Sequence, residues 1–182
     1  MTASESPVEP LAAGAVSRPD EPADAVVWDI AALVVDPEIP VLSIADLGIL
    51  RSAKSTGERS ARVRITPTYS GCPAMDAIRD DLVTAFRSKG YDVAVDLVLA
   101  PAWTTDWMTA DGRAKLERYG IAPPTGRAAA RPAGPVPVRL SVRCPHCGSL
   151  ATRELSRFGS TSCKALYSCA SCQEPFDYFK VF

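Results

Sequence analysis

Hydrophobic positions follow strand-like and helix-like spacings in turn along the chain. The stretches 61–67 and 93–99 alternate apolar and polar side chains, which is the pattern of half-buried strands. Between them, apolar residues recur every three or four positions from Met75 to Phe86. Gly90 follows where a C-terminal cap belongs, so the spacing predicts an amphipathic helix between the two strands.

Three further elements complete the pattern. A short helix is predicted over 24–35, capped by Asp24 and ended by an Asp-Pro step. The apolar stretch 44–51 predicts a strand, and 111–119 predicts a last helix. The order helix, two strands, helix, strand, helix indicates an α+β fold, a small layered domain of sheet and helix.

Composition suggests where the chain divides. Residues 1–23 are acidic and rich in proline and alanine, which predicts a disordered tail. The α+β domain then covers 24–119, and a Pro/Gly/Ala-rich linker covers 120–137. The remaining stretch, 138–182, predicts short β-strands between cysteines.

Charge and hydropathy exclude several classes of protein. The 182 residues carry a net charge of −1, which disfavours a general polyanion binder. No apolar run reaches the roughly 18 residues that a membrane span needs. The opening residues lack the basic start and apolar stretch of a signal peptide, so we expect a cytoplasmic protein.

Two CxxC pairs dominate the C-terminal module. Cys144 and Cys147 form the first pair, and Cys169 and Cys172 form the second, with 21 residues between the pairs. Two such knuckles let four thiolates converge tetrahedrally on one ion, as in a zinc ribbon. A module of fewer than fifty residues with little helix buries little surface, so a structural zinc ion explains how it stays folded.

Other interpretations of these four cysteines remain open. Disulfides are disfavoured in a chain without a secretory signal. An Fe(Cys)₄ site would make the module an electron carrier; CPHCG suits it, but CASCQ lacks the glycine that lets backbone amides approach the sulfurs. A third interpretation, nucleic-acid binding, depends on a mild excess of basic residues in this module. Such an excess is more typical of a solvent-exposed face.

Two cysteines lie outside the knuckles. Cys72 falls between a predicted strand and a predicted helix, with Pro73 suited to the first helical position. An N-cap cysteine there would have a lowered pKa and thiolate character, although a buried packing residue is an equal alternative. Cys163 is interpreted as a small packed residue, with a second reactive thiol or exchange ligand as the alternative.

No independent catalytic constellation is evident. The sole histidine, His146, lies inside the first knuckle and is expected to face solvent. Asp36, Glu38 and Asp46 stand in a turn-rich segment and are interpreted as caps and turn partners rather than metal ligands.

The motifs together resemble a known family. DPEIPVLSIADLGIL (36–50) and TPTYSGCPAM (66–75) are similar to the signature of the MIP18-like (DUF59) family. The segment 101–124 and the blocks CPHCGS, FGSTSCKALYSC and EPFDYFKVF resemble one branch, the D subunits of phenylacetyl-CoA epoxidase, a multicomponent oxygenase. The resemblance covers about residues 25–182.

The resemblance implies an accessory role. It implies that Cys72 is the functional thiol, which carries iron or a cluster. Asp46 matches the aspartate of the supporting family motif. The resemblance also makes a role for Cys163 as a second thiol more plausible. The implied function is maturation of the oxygenase or reductase subunit by inserting iron or an iron–sulfur cluster, without direct catalysis. The implied partners are those subunits and iron–sulfur assembly proteins.

Two other functions compete with this hypothesis. The chain could be an electron-transfer or structural subunit of the oxygenase with iron at the four ribbon cysteines. A zinc-ribbon adaptor for nucleic acid is the third hypothesis, and the near-neutral net charge weakens it.

Overall fold

The computed structural model describes residues 14–69, 71–125 and 142–182. It confirms an α+β protein with a β-rich C-terminal part. The elements in chain order are α1 (Pro22–Ala31), β1 (Leu50–Gly57), β2 (Ser60–Ile65), α2 (Ala74–Ser88), β3 (Asp92–Leu97), a 3₁₀ turn (Thr105–Trp107), α3 (Ala110–Arg118), β4 (Ile121–Ala122), β5 (Thr152–Ser156), β6 (Lys164–Cys169) and β7 (Pro175–Phe179).

The first sheet has the strand order β1-β2-β3. β1 and β2 form an antiparallel hairpin, and β3 pairs with β2 in parallel with Val63 opposite Val95. Parallel neighbours need a crossover connection, and α2 supplies it. The apolar face of α2, including Ile78, Leu82 and Phe86, is fully buried in the core, so the predicted amphipathic helix is confirmed.

Two predicted elements differ from the structure. The first helix begins at Pro22, and Glu21 rather than Asp24 caps it by accepting the Asp24 N–H at 2.7 Å. The predicted strand over 44–51 is mostly a series of buried turns, and β1 begins only at Leu50. The side chains of Ile44, Leu47 and Ile49 are buried although the backbone forms turns. The apolar run therefore reflects burial and not a strand.

The second sheet has the strand order β4-β7-β6-β5. β5, β6 and β7 are antiparallel, as in a ribbon, and β4 joins β7 in parallel. The stretch 120–137 was predicted as a linker, yet its residues Ile121 and Ala122 are buried in this sheet. Residues 126–141 and the first thirteen residues of the predicted tail lie outside the described part of the chain.

The ribbon packs directly onto the first domain. Cys163 and Phe179 are buried in the same core as α2 and the first sheet. The Trp103 ring contacts Phe179 and Phe182 edge-on, with centroids 6.3 and 6.1 Å apart. The side chains at the start of β6 and the end of β7 therefore lie against the first domain. No helix in the described residues is both long and apolar enough to span a membrane.

Candidate functional site

The four knuckle cysteines converge at one end of the ribbon. Their Sγ atoms all lie within 4.8 Å of one another. Cys147 and Cys169 are 3.6 Å apart, and Cys144 and Cys172 are 3.8 Å apart. A tetrahedral ion with metal–sulfur bonds of about 2.3 Å places its sulfurs about 3.8 Å apart, close to the two shortest of these distances, so the four thiols suit one such ion.

The two knuckles share one backbone conformation. Gly148 and Gln173 follow their respective second cysteines with φ of 75° and 65°, and each donates its N–H to the carbonyl of the first cysteine at 2.9 Å. Hydrogen bonds from the Cys172 and Ser171 N–H groups lower the pKa of Cys169 to about 6. The expectation that the second knuckle needs a glycine to bring amides to sulfur is therefore wrong, because Gln173 adopts the same left-handed conformation.

His146 lies exposed on the first knuckle, as expected. Its ring contacts Phe176 edge-on, with centroids 6.5 Å apart. The sole histidine of the sequence is thus engaged at the ribbon and supplies no general base to Cys72.

Cys72 stands directly before the first turn of α2. The helix begins at Ala74, and Pro73 occupies the N-cap position without a side-chain hydrogen bond, so Cys72 lies one residue before the N-cap rather than at it. Burial raises the pKa of the Cys72 thiol, a hydrogen bond from the Ala74 N–H opposes this, and the charges of Glu38 and Asp36 raise it further. Of the two alternatives that the sequence left open, the raised pKa favours the buried packing residue over the N-cap thiolate, because burial outweighs the Ala74 N–H hydrogen bond.

Cys163 approaches the same carboxylates from the ribbon. Its thiol is buried, contacts Thr161 Oγ1 at 2.9 Å, and lies 4.0 Å from Glu38 Oε2. Burial raises the pKa of Cys163, and the charges of Glu38 and Asp36 act in the same direction. The charges of Glu38 and Asp36 therefore raise the pKa values of two thiols from different parts of the chain.

The loop that carries these carboxylates is ordered by its own aspartate. Asp36 is buried, and its Oδ1 accepts the N–H groups of Glu38 and Ile39 at 2.8 Å each. Asp36 is thus the turn partner that the sequence predicted. Burial raises the pKa of both Asp36 and Glu38, and the nearby charge of Lys164 partly opposes this. That Glu38 faces Cys163 was not predicted.

Tyr69 lies in the same region, against the C-terminus. Its ring stacks on Phe182, with centroids 6.5 Å apart and planes inclined by 19°. Its hydroxyl is hydrogen-bonded to Ser162, beside Cys163, and Cys72, Glu38 and Cys163 all influence its pKa, which burial raises. The following residues form what we call the junction cluster: Asp36, Glu38, Tyr69, Cys72 and Cys163.

Asp46 organises the scaffold. Its carboxylate accepts hydrogen bonds from the N–H and hydroxyl of Ser43 at 3.0 and 2.9 Å and forms an ion pair with Lys115 at 2.9 Å. These contacts, led by the Lys115 hydrogen bond, outweigh burial and lower the pKa of Asp46. The Asp46 carbonyl also accepts the N–H of Thr109, the N-cap of α3, at 2.9 Å. Asp46 thus ties the buried turns to α3.

Two family models match this chain, one over the first domain and one over the C-terminal ribbon. Residues 24–101 match the family model described as "Iron-sulfur cluster assembly protein". Residues 130–180 match the model described as "PaaD zinc beta ribbon domain".

Curated relatives match one or both parts. A protein of Escherichia coli K12, described as a putative D subunit of 1,2-phenylacetyl-CoA epoxidase, is 49% identical over 85% of this chain and 90% of its own length. A "Fe-S protein maturation auxiliary factor" of Porphyromonas gingivalis is 35% identical over 46% of this chain and 80% of its own length. A solved structure from Bacillus anthracis, described as a DUF59 domain, aligns with a TM-score of 0.48 and 22% identity over 51% of this chain and 90% of that one.

The first relative is nearly half identical to this chain over most of the length of both proteins. An iron–sulfur assembly domain followed by a PaaD zinc ribbon is the arrangement that the two family models describe. The chain therefore belongs to the PaaD family, the D subunits of phenylacetyl-CoA epoxidase.

Proposed function

We propose that this chain is an accessory factor of a multicomponent oxygenase that epoxidises the ring of phenylacetyl-CoA. It assists the insertion of iron or an iron–sulfur cluster into the oxygenase or the reductase subunit. The names of its relatives support both halves of the proposal, one as an epoxidase subunit and the other as an iron–sulfur maturation factor. The observation that carries it is the position of the Cys72 thiol at the junction of the two matched parts.

We propose that the Cys72 thiol binds the iron or iron–sulfur cluster that is to be inserted. A cysteine thiolate binds iron and exchanges with other thiolates, which suits a group that must pass its metal on. The side chain is half-buried, beside the exposed Gly71. A partner can therefore approach the thiol from the side of Gly71.

We propose zinc as the resident ion of the four ribbon cysteines. The sulfur spacing fits a tetrahedral ion, and all four protein ligands are thiols, which closes the site as in structural zinc ribbons. Bound zinc would supply no redox chemistry; it would cross-link the two knuckles. The ribbon would then hold β6 and β7 against the first domain and give the client subunit a surface to dock on.

The chain is proposed to act on its partners without catalysis of its own. In the described residues, Cys72 is flanked by carboxylates, and the histidine that would activate a nucleophile lies on the ribbon knuckle. Its proposed partners are the oxygenase and reductase subunits and iron–sulfur assembly proteins. All six cysteines are free, which fits a reducing cytoplasm.

The two equivalent knuckles favour a second candidate function. Amide-to-sulfur hydrogen bonds also occur at iron–thiolate electron carriers, where they tune the reduction potential. Elemental analysis and a visible spectrum of the purified protein separate the two functions. We expect a colourless protein with zinc; iron with thiolate charge-transfer bands would favour an electron-transfer subunit.

The maturation function is tested in cells. The oxygenase and reductase subunits are co-expressed with the wild-type chain, with Cys72→Ser, or without this chain. Iron and acid-labile sulfide are then measured in each purified subunit. With Cys72→Ser, we expect the metal content of one subunit to fall to the level obtained without the chain. Glu58→Gln, an exposed carboxylate on the β1–β2 turn, is the control and should leave loading unchanged.

A fully loaded client with Cys72→Ser would refute this proposal. The folded state of the variant is checked by its zinc content and circular dichroism. The subunit that loses metal is identified as the client.

A further inference from the structure

β3 forms an open edge of the first sheet. Among the described residues its strand neighbour is β2 alone, because the strand order is β1-β2-β3. Asp92 donates its N–H to the Arg59 carbonyl at 2.9 Å, and Val98 donates its N–H to the Ile65 carbonyl at 2.8 Å. A parallel ladder repeats every two residues, so the even-numbered residues of β3 direct their N–H and C=O groups toward β2. The residues whose N–H and C=O groups point away from β2 are therefore Val93, Val95 and Leu97.

This edge can accept a further strand. Proteins commonly protect an unpaired strand edge with lysine, proline, a bulge or a covering element. β3 has the sequence DVAVDL, without lysine or proline, and it pairs with β2 in continuous register from Asp92 to Leu97. Extended peptides bind to such edges by hydrogen-bonding to the outward N–H and C=O groups.

A groove lies beside the edge, between β3 and α2. It has a volume of about 410 Å³, and its lining includes Val83 and Arg87 of α2 and Val93 of β3. Val83 and Val93 are half-buried. Side chains alternate between the two faces of a sheet, so every second side chain of a strand added to β3 would point to the face that α2 covers. An apolar side chain there would fill the groove.

The carboxyl end of β3 carries exposed apolar side chains. Leu97 is 43% exposed and Leu99 is 66% exposed. β2 and β3 are parallel and α2 connects them, so the carboxyl ends of both strands and the N-terminus of α2 lie at the same edge of the sheet. Cys72 lies two residues before α2. A partner strand on β3 would therefore contact Leu97 at the end of the sheet where this thiol lies.

The charge of the edge distinguishes a second copy of this chain from a different partner. The charged residues of β3 are Asp92 and Asp96, and Arg62 of β2 lies 3.8 Å from Asp96. A register that aligns 92–96 of two antiparallel copies would place Asp92 of each copy opposite Asp96 of the other, and like charges in that position destabilise a sheet. Residues 14–125 carry sixteen acidic and twelve basic residues, so the surrounding domain is acidic as well. An extended segment with basic side chains is the complementary partner.

We propose that β3 accepts an extended, basic segment of the client subunit as a fourth strand of the first sheet. The identity of this partner as the client rests on the proposed function, whereas the position and charge of the added strand rest on the structure. Hydrogen bonds to the outward groups of β3 would supply affinity, and a side chain beside Val83 and Val93 would supply specificity. The added strand would hold the client at the end of the sheet where Cys72 lies.

Residue-resolved hydrogen exchange tests the proposal on the unsubstituted full-length chain. The oxygenase and reductase subunits, purified without metal, are added one at a time. In the free chain, the amides of Ala94 and Asp96 should exchange slowly, and those of the three outward residues should exchange rapidly. With the client bound, we expect exchange at the outward amides to slow at least about tenfold. Unchanged exchange at these amides with both subunits would overturn the proposal.

The same experiment detects a second copy of this chain. If the outward amides of the free chain become protected as its concentration is raised, two copies pair through β3. That result would overturn the assignment of the edge to a client segment.

A proline substitution tests the hydrogen bonding directly. Val95→Pro removes an outward N–H and leaves the bonds to β2 in place, and proline is tolerated on the open side of an edge strand. Binding of a fluorescently labelled client, measured by anisotropy, should weaken at least about tenfold. Val95→Ala is the matched control, because it shortens the same side chain and keeps the N–H, and it should bind within about threefold of the wild type. Equal affinities of the two variants would contradict strand addition.

The charge is tested separately. Asp92→Lys should weaken client binding, and its disadvantage should shrink as salt is raised, because screening removes the attraction between exposed charges. Circular dichroism and thermal melts check that each variant is folded. If the proline variant unfolds, the exchange pattern of the unsubstituted chain decides between the outcomes.

The docking edge and the maturation function fail separately. If Cys72→Ser protects its outward amides with the client, yet the client is fully loaded in cells, the edge stands and the maturation function fails. If Val95→Pro binds the client as Val95→Ala does, while Cys72→Ser leaves the client without metal, the edge fails and the maturation function stands.

Discussion

The C-terminal ring of Phe182 stacks on Tyr69, three residues before Cys72, with the ring centroids 6.5 Å apart. The Phe182 carbonyl also accepts the Thr105 N–H at 3.3 Å, and its ring contacts Trp103. The last residue of the ribbon therefore contacts the segment that carries Cys72. We therefore expect the C-terminus of the ribbon to limit access to Cys72.

Phe182→Ala should loosen the junction without unfolding either part. Loss of a half-buried aromatic contact costs about 1–2 kcal/mol of unfolding free energy. We expect both Cys72 and Cys163 to be alkylated faster, as measured by mass spectrometry, with zinc content unchanged. Phe158→Ala is the control, since Phe158 is exposed and 68% accessible. Unchanged alkylation in Phe182→Ala would show that the C-terminus does not control access to the thiols.

Glu38→Gln should shift the thiol titrations to lower pH. Burial raises the pKa of Cys72 and Cys163, and the Glu38 charge raises both further. Removing that charge leaves the burial contribution and favours the thiolates, so both cysteines should be alkylated faster at a fixed pH below their pKa. Iodoacetamide rates across a pH series, without added iron, give the two midpoints. Midpoints equal to those of Glu58→Gln would contradict the charge coupling.

Gly48→Ala should destabilise the first domain strongly. Gly48 has a φ of 71°, and an added Cβ would lie 2.7 Å from the Trp107 Cβ and carbonyl oxygen. Strain and overlap together should cost about 2–4 kcal/mol in denaturant unfolding. Gly71→Ala is a matched control, with a φ of 83° and open space around its Cβ. It should cost about 1–2 kcal/mol from backbone strain alone. If both variants lost the same free energy of unfolding, Trp107 would have moved aside without a measurable energetic penalty.

Asp46→Asn should remove a pH-dependent part of the stability. Contacts with Lys115 and Ser43 lower the folded-state pKa of Asp46. Its stabilisation is therefore fully present above the unfolded pKa of about 3.9 and is lost as pH falls through the lower folded pKa. The variant should lose about 1–3 kcal/mol at neutral pH. Its disadvantage should shrink in thermal melts below about pH 4. A constant difference at all pH values would contradict this linkage.

Local sequence patterns correctly predicted the features that depend on residues close together in the sequence. The face of α2 follows from apolar residues at spacings of three and four, and the four ribbon ligands follow from two CxxC knuckles. The same local reasoning failed for the stretch 44–51. An apolar run does not distinguish a strand from turns buried on all sides.

Sequence alone determined the α+β class and the four-cysteine set of the ribbon, because each depends on spacing within short stretches, whereas the emphasis on Cys72 came from the family resemblance. Only the tertiary structure decided that Cys163 meets Glu38, that β4 enters the ribbon sheet, and that Cys72 has a raised pKa. The first two features join segments that are distant in sequence, and the third arises mainly from burial of the thiol. Contacts between distant segments, such as Glu38 and Cys163, 125 residues apart, leave no periodic pattern in either segment.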